Sequence, residues 1–189
     1  MGPQQEKAAL RERYRRERKE AFVSRDFLHI LTAPEFSTSH LIASYIATEF
    51  EPQTQLLNQE LLRRGKRLLL PRVASTKNGK NSEGAMSWVE WNGQMEHLKK
   101  NKNLLEPIGD VWEEVSKIEV VITPALRVDG EGFRLGQGGG FYDRALAHIS
   151  GWKIALVHSG ELSSAPLPRE SHDQKVNAAA TPDLLVRFR

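Results

Sequence analysis

Apolar residues recur along this chain with two different spacings, one typical of helices and one typical of strands. The helical spacing runs from Lys7 to Phe22, returns over 54–65 between a capping threonine and a terminating glycine, and returns again over 141–149. Residues 1–6 precede the first of these patterns and are expected to be flexible. The pattern therefore predicts a long N-terminal helix and two shorter ones.

Short apolar runs between these helical segments are typical of buried strands. They lie at 40–48, 67–71, 118–123 and 152–158, and a further strand is expected around 87–91. Because helices separate most of these strands, the chain is expected to form one domain, 1–189, with an α/β fold. Its largely parallel sheet would be flanked by helices in a Rossmann-like three-layer arrangement. The polar, turn-rich segment 74–84 is expected to be an exposed loop.

Composition narrows the class of protein. A chain of 189 residues can bury a substantial core, and the absence of cysteine excludes disulfides and thiolate metal sites. The six histidines form no pair with metal-ligand spacing, which argues against a zinc site. Neither a signal segment nor a membrane-length apolar run is present, so a cytoplasmic protein is expected. The net charge of +3 suits anionic ligands without requiring nucleic acid.

Six of the fourteen glycines lie between Gly130 and Gly140, after an apolar run. Glycine lets backbone N–H groups converge on an anion, and a helix that follows adds its positive end. No Gly-Lys-Ser/Thr follows, which excludes a P-loop, and Phe141 stands where the dinucleotide fingerprint needs its third glycine. A flexible surface loop is the alternative. Arg134 before the glycines and the helical segment after them favour an anion site.

The first helix carries a row of basic residues. Lys7, Arg11 and Arg15 recur at four-residue spacing next to the apolar face, so this row can point into a cleft. A solvated charged face is one alternative, because glutamates are interleaved with the basic residues. Nucleic-acid binding is another, although those glutamates oppose contacts with phosphates.

In their order and spacing, these motifs resemble the 5-formyltetrahydrofolate cyclo-ligase family, also called methenyltetrahydrofolate synthetase, from Lys7 to about Pro182. No single motif would suffice. The motifs are KAALR from Lys7, IATEFE from Ile46, GKRLLLPR from Gly65, EP from Glu106, PAL from Pro124, RLGQGGGFYDR from Arg134 and HD from His172.

The resemblance implies an enzyme that uses ATP and Mg²⁺ to convert 5-formyltetrahydrofolate into 5,10-methenyltetrahydrofolate, with release of ADP and phosphate. The family's proposed route transfers the γ-phosphate to the formyl oxygen, after which the neighbouring folate nitrogen attacks the activated carbon. Such an enzyme mainly positions two anionic substrates and stabilises charge on phosphate. The implied partners are a reduced folate and ATP, with no membrane or nucleic-acid partner, and the protein would act as a monomer.

The resemblance also assigns site residues. Arg134 and Tyr142 would be catalytic, Ile46 and Glu51 would contact the folate, and Asp143 would bind magnesium. The ATP-binding residues would be Lys7, Ala8, Ala9, Leu10, Arg11, Arg134, Leu135, Gly136, Gln137, Gly138, Gly139, Gly140, Phe141 and Tyr142. Trp88 and Trp91 are expected to line the pocket or to belong to the core, and Arg72 is expected to engage phosphate or the folate's carboxylates.

One metal position departs from the family pattern. Asn177 stands where many members have an aspartate implicated in magnesium binding, so this residue is expected to coordinate through an uncharged carbonyl oxygen. Weaker metal affinity would follow unless Asp173 compensates. Phe141 also lacks the hydroxyl of a tyrosine frequent in the family. The alternatives are therefore a family-fold protein with lost or altered ligase activity, and a basic module that binds anions or nucleic acid.

Overall fold

A central sheet covered by helices on both faces organises the computed structural model, which describes residues 2–73 and 86–189. The segment 74–84, expected to be an exposed loop, lies outside the described residues. The α-helices are α1 (Pro3–Glu20), α2 (Pro34–Thr38), α3 (Gln55–Arg63) and α4 (Phe141–Leu146), and 3₁₀ turns cover Leu28–Thr32, Met95–His97 and Val115–Lys117. Over the described ranges, no helix combines the length and apolar character needed to cross a bilayer.

The strands fall into three sheets. Within the described residues the large sheet has seven strands in the order β12-β11-β9-β6-β1-β2-β3, β10-β7-β8 form a small sheet, and β4 and β5 form a hairpin. The strands are β1 (Leu41–Ala43), β2 (Arg67–Val73), β3 (Met86–Trp91), β4 (Leu98–Asn101), β5 (Leu104–Pro107), β6 (Val120–Pro124), β7 (Arg127–Asp129), β8 (Arg134–Leu135), β9 (Trp152–Leu156), β10 (Leu162–Ser163), β11 (Ala178–Ala180) and β12 (Leu185–Arg187).

The five inner strands of the large sheet are parallel, and the two edge strands are antiparallel to their neighbours. Consecutive side chains of each inner strand enter opposite cores. In β2, Leu68 and Leu70 pack with α2 and α3, whereas Leu69 packs on the face that α4 covers. Burial on both faces explains why these strands are continuous apolar runs. The predicted three-layer α/β fold is confirmed.

Several predicted boundaries are corrected. Residues 3–6, expected to be flexible, belong to α1, because Pro3 at the first helical position and Glu6 in the first turn both favour a helix start. The strand predicted over 40–48 is shortened to β1. After it, the carbonyl of Tyr45 accepts hydrogen bonds from the side chains of Thr54 (2.6 Å) and Asn58 (2.9 Å), so the chain joins α3 instead of continuing in the sheet.

The order of the strands creates a crevice beside β1. From β1 the chain proceeds to β2 and β3 on one side, and it later returns to β6, β9 and β11 on the other side. The loops that leave β1 and β6 therefore diverge at the carboxyl edge of the sheet, where ligands of open α/β sheets characteristically bind. This edge is where the candidate site lies.

Candidate active site

A cavity of about 410 Å³ opens at this edge of the sheet. The ends of β1, β2 and β6 supply its floor, α1 and the glycine-rich loop enclose one end, and the β4–β5 hairpin contributes an apolar wall. Its lining residues include Gln4, Lys7, Arg11, Tyr45, Ile46, Glu51, Pro71, Val73, Met86, Leu104, Leu105, Glu106, Pro124, Arg134, 136–144, Glu170, His172 and Asp173. The structure thus brings both predicted ends of the site into one pocket.

The basic row of α1 points at the glycine-rich loop. The buried Lys7 places Nζ 2.6 Å from Asp173 Oδ2 and 2.9 Å from Glu170 Oε2. Arg11 Nε donates to the carbonyl of Gly136 at 3.0 Å, and Arg15 Nε donates to Gln137 Oε1 at 2.9 Å. Lys7 and Arg11 of this row therefore line the cavity, whereas Arg15 contacts the loop outside it.

Other ATP-binding assignments on α1 are not supported. Ala8 and Ala9 are exposed, and neither they nor Leu10 line the cavity. Their position follows from helical geometry, since three residues that directly follow Lys7 project in other directions. Gln4, which does line the cavity, was missed; it lies one turn before Lys7 on the same face.

The glycine-rich loop connects β8 to α4 and keeps its backbone open to the cavity. Gly138 (φ +107°) and Gly140 (φ +63°) have left-handed backbone conformations that glycine adopts without strain. From Gly136 through Tyr142 every residue lines the cavity, whereas Leu135 is buried in the protein beside it. The predicted segment is thus assembled at the site with the exception of Leu135.

Arg134 forms a buried ion pair with Asp143. Arg134 Nη2 lies 2.8 Å from Asp143 Oδ1, and the side chain is 2% exposed. Burial lowers the pKa of Arg134, while the charges of Asp143 and Asp173 oppose that shift. Glu131, a carboxylate three residues before Arg134, instead pairs with Arg169 at 2.8 Å. Arg134 Nε is buried with no hydrogen-bond partner among the residues that the structure describes, so the guanidinium keeps an unused donor.

Tyr142 lies between the two ends of the cavity. The Arg134 guanidinium is 5.7 Å from the centre of its ring. Burial raises the pKa of the Tyr142 hydroxyl far above its ordinary value; the carboxylate of Glu51 adds to this rise and Arg134 opposes it. The hydroxyl is therefore protonated at neutral pH and is sensitive to groups from both ends of the site.

Glu51 belongs to a loop that the structure holds firmly. Its Oε2 accepts hydrogen bonds from the backbone N–H and the hydroxyl of Thr48, both at 2.8 Å, which leaves Oε1 for a ligand. The hydroxyl of Tyr45 donates to the Pro52 carbonyl at 2.9 Å. Ile46 lines the same part of the cavity. A preorganised carboxylate beside an apolar side chain suits a flat ring that carries hydrogen-bond donors.

The acidic residues of the site differ from the predicted pair. Asp143 lines the cavity, but Asn177 does not: its Oδ1 accepts the Lys153 N–H at 2.8 Å, where β9 begins. Asn177, the second predicted metal ligand, therefore lies outside the cavity. Asp173 takes its place in the cavity, and ligand atoms of Glu170, His172 and Asp173 lie within 4.8 Å of one another. Carboxylate oxygens of this kind are what Mg²⁺ prefers.

Two further expectations concern residues that lie outside the cavity. Trp88 and Trp91 are buried and do not line the cavity, so they belong to the core. Arg72 donates to the carbonyl of Gly109 at 2.8 Å and lies outside the cavity, because Pro71 and Val73 occupy the cavity side of β2. The apolar wall from Leu104 and Leu105 was missed.

Known proteins with similar sequences and structures indicate the family of this chain. A model of the 5-formyltetrahydrofolate cyclo-ligase family matches residues 4–182. The 5-formyltetrahydrofolate cyclo-ligase of Escherichia coli is 32% identical over 158 residues, which cover 81% of this chain and 84% of that protein. The cyclo-ligase of Mycolicibacterium smegmatis is 33% identical over 147 residues, covering 75% and 73%. The NMR structure of Aquifex aeolicus 5,10-methenyltetrahydrofolate synthetase has a TM-score of 0.77 and 26% identity, and the match covers 97% of this chain and 93% of that one.

Fold and site define an α/β enzyme of the ligase class, with its pocket at the switch point of a mostly parallel sheet. The chain belongs to the 5-formyltetrahydrofolate cyclo-ligase family. The resemblance predicted from the motifs is confirmed, and the match extends over nearly the same range as those motifs.

Proposed function

We propose that this chain cyclises 5-formyltetrahydrofolate to 5,10-methenyltetrahydrofolate and converts ATP to ADP and phosphate in the presence of Mg²⁺, with the formyl oxygen leaving in the phosphate. The observation that carries this proposal is a single cavity with a cationic, glycine-rich end and an end formed by Ile46 and Glu51. Transfer of the γ-phosphoryl group to the formyl oxygen needs the two substrates in contact. Enclosure of both ends in one pocket supports that contact.

The glycine-rich end would hold the ATP phosphates. Lys7 and Arg11 approach it from α1, and the loop from Gly136 to Gly140 approaches from the other side. Arg134 would stabilise the charge on the transferred phosphoryl group, because its buried guanidinium keeps an unused N–H donor. The conversion of a formyl oxygen into a phosphate leaving group requires such stabilisation of phosphate charge.

Mg²⁺ would be held by Asp143 and Asp173, with Glu170 nearby. The donor set fits, because carboxylates at a phosphate site provide the oxygen ligands that the ion prefers. Bound there, the ion would neutralise negative charge on the nucleotide phosphates. Lys7 contacts Asp173 and Glu170, so its ammonium group lies between the proposed Mg²⁺ ligands and the proposed phosphate site.

The folate would bind with its pterin at Glu51 and Ile46. Glu51 Oε1 would accept from the pterin amino and ring nitrogens, and the apolar wall of Leu104 and Leu105 would pack against the rest of the molecule. Tyr142 would donate a hydrogen bond from its hydroxyl to the reacting group, because it lines the cavity beside Arg134.

Two alternative functions have weaker support. The first is a family-fold protein whose ligase activity is lost through Asn177. Its support is weaker because Asn177 lies outside the cavity, whereas Asp173 lines it. A nucleic-acid module needs an exposed cationic row, whereas Lys7 is buried and Arg11 and Arg15 contact the glycine-rich loop.

The test mixes purified protein with 5-formyltetrahydrofolate and Mg-ATP, and follows the near-ultraviolet absorbance of the methenyl product together with ADP. We expect both products in equal amounts and neither product when the folate is omitted. ADP formation without methenyl product, or no reaction despite nucleotide binding, would overturn the proposed function.

A further inference from the structure

Helix α1 is held against the protein by charged side chains. Its buried residues are Lys7 and Arg18, whereas the apolar Leu10 and Tyr14 are partly exposed. Most surface helices dock through an apolar stripe, which fixes their position through many interchangeable contacts. The position of α1 instead depends on a few directional hydrogen bonds and ion pairs.

Arg18 makes the most buried of these contacts. It follows Lys7 by eleven residues, or about 16 Å along a helix, and so lies on the same face three turns away. Its Nε and Nη2 bind Glu161 Oε1 and Oε2 at 2.8 and 2.5 Å, and Nη2 also donates to the carbonyl of Ala125. This two-point pair, 3% and 9% exposed, fixes both the distance and the rotation of the helix.

The same carboxylate connects α1 to the loop that carries Glu51. Glu161 Oε2 accepts the backbone N–H of His158 at 2.7 Å, and His158 Nε2 lies 3.0 Å from the carbonyl oxygen of Phe50. Phe22, just beyond α1, packs edge-on against both rings, with centroids 5.6 Å from Phe50 and 5.5 Å from His158. We call Arg18, Glu161, His158 and Phe50 the Arg18 network.

The Arg18 network is connected to both ends of the site through α1 and the Glu51 loop, and it lies outside the cavity. Its members do not line the large cavity. At one end of the network, α1 carries Lys7 and Arg11 to the glycine-rich loop; at the other end, Phe50 immediately precedes Glu51. A change in the network can therefore affect ligands through the position of α1 and of this loop, and not by direct contact.

We propose that Arg18 is a positioning residue whose ion pair with Glu161 sets α1 over the phosphate end of the site and, through His158, holds the Glu51 loop. The ligands named in this inference rest on the proposed function. Arg18 acts through Lys7, Arg11 and Glu51, and no chemical step uses it.

The test compares Arg18→Met with the double variant Arg18→Met/Glu161→Gln, which avoids leaving Glu161 as an unpaired buried charge. Arg16→Met is the matched control, because Arg16 is exposed on the same helix. Phe36→Leu is a control for lost stability alone, since Phe36 packs against Trp152 at the start of β9, away from the cavity. Arg18→Lys tests for partial rescue.

Three quantities are measured well below each Tm: Kd for Mg-ATP, Kd for 5-formyltetrahydrofolate, and amide hydrogen exchange over 3–20 and 44–53. For the double variant we expect Mg-ATP affinity to fall about tenfold or more, folate affinity to fall less, and kcat at saturation to change little. Exchange should accelerate in both segments. Arg18→Lys should recover part of the loss, and both controls should bind as the wild type does.

Binding constants of the double variant equal to those of Phe36→Leu would overturn the positioning role and reduce Arg18 to a stability residue. That result would leave the proposed function intact if the wild type still forms methenyl product. If the wild type forms no product, the proposed function fails instead. Hydrogen exchange in the unliganded protein then still decides whether Arg18 fixes α1 and the loop, and unchanged exchange contradicts the inference.

Discussion

The two ends of the cavity use charge in different ways. At the glycine-rich end, the proposed phosphate end, Lys7 pairs with Asp173 and Arg134 pairs with Asp143, so both signs of charge are already close together. At the opposite, proposed folate end, Glu51 is held by the backbone and hydroxyl of Thr48 beside an apolar wall. The phosphate end thus offers opposite charges that Mg²⁺ and phosphate can each engage, whereas the folate end offers a fixed shape. Substitutions at the two ends should therefore have different effects on the kinetic constants.

The largest effect is expected at the buried arginine of the phosphate end. Arg134→Ala should lower kcat by about 10²- to 10³-fold, because the variant loses a preorganised donor for phosphate charge. Steady-state rates measure the loss, and circular dichroism checks that the fold is retained. Arg134→Lys should stay strongly impaired, since an ammonium cannot replace the fork of donors. A variant with near-normal kcat would contradict the role of this end.

The proposed metal ligands come next. Asp173→Asn should raise the Mg²⁺ concentration needed for half-maximal rate by about tenfold or more, because an amide oxygen lacks the charge of a carboxylate. Asn177→Asp is the matched comparison and should leave this concentration unchanged, since Asn177 caps the start of β9. Magnesium titrations of the rate distinguish the two positions. A lower Mg²⁺ concentration at half-maximal rate for Asn177→Asp would support the assignment of position 177 as a metal ligand.

At the folate end, Glu51→Gln should raise KM for 5-formyltetrahydrofolate by about tenfold, the loss expected for a hydrogen bond to a charged group. KM for ATP should change much less, because Glu51 lies at the other end of the cavity. Initial rates with each substrate varied in turn measure both constants. Equal increases in the two KM values would show that the ends are not separable.

The smallest effect is expected outside both ends, at Glu60 on α3. Hydrogen bonds from Arg63 and Arg64 lower the pKa of Glu60 from 4.5 to about 2. Because the folded pKa is the lower one, this stabilisation is present above pH 4.5 and is lost as the pH falls through about 2. Glu60→Gln should lower Tm by about 2 °C or less at neutral pH, without changing kcat. Thermal melts between pH 7 and pH 2 should show the difference shrinking.

Much of the fold was predictable because its inner strands are buried on both faces. The runs at 67–71 and 118–123 became β2 and β6, and the helical spacing after Lys7 became α1. The β4–β5 hairpin was not predicted. Its segment is rich in lysine and asparagine, and Leu104 and Leu105 gain their role from the cavity that they cover. The local spacing of apolar residues does not predict such a tertiary contact.

In the site, too, features set by local spacing were predictable and features set by tertiary contacts were not. Lys7, Arg11 and the loop from Gly136 to Gly140 were found because four-residue spacing and clustered glycines have a direct geometric meaning. Asn177 was expected at the cavity and lies outside it, because the position of a residue in a motif does not tell on which side of the chain its side chain lies. In the fold, Val176 is buried and Asn177 bonds to β9, while Asp173, four residues earlier, turns toward Lys7.

The measurement that tests the account most directly follows the formyl oxygen itself. With 5-formyltetrahydrofolate labelled with oxygen-18 in the formyl group, transfer of the γ-phosphoryl to that oxygen and loss of phosphate should leave the label in the released phosphate, detected by mass spectrometry. The account predicts one labelled oxygen per phosphate released. Unlabelled phosphate formed together with methenyl product would contradict it, because the two ends of the cavity would then not act on the same oxygen atom.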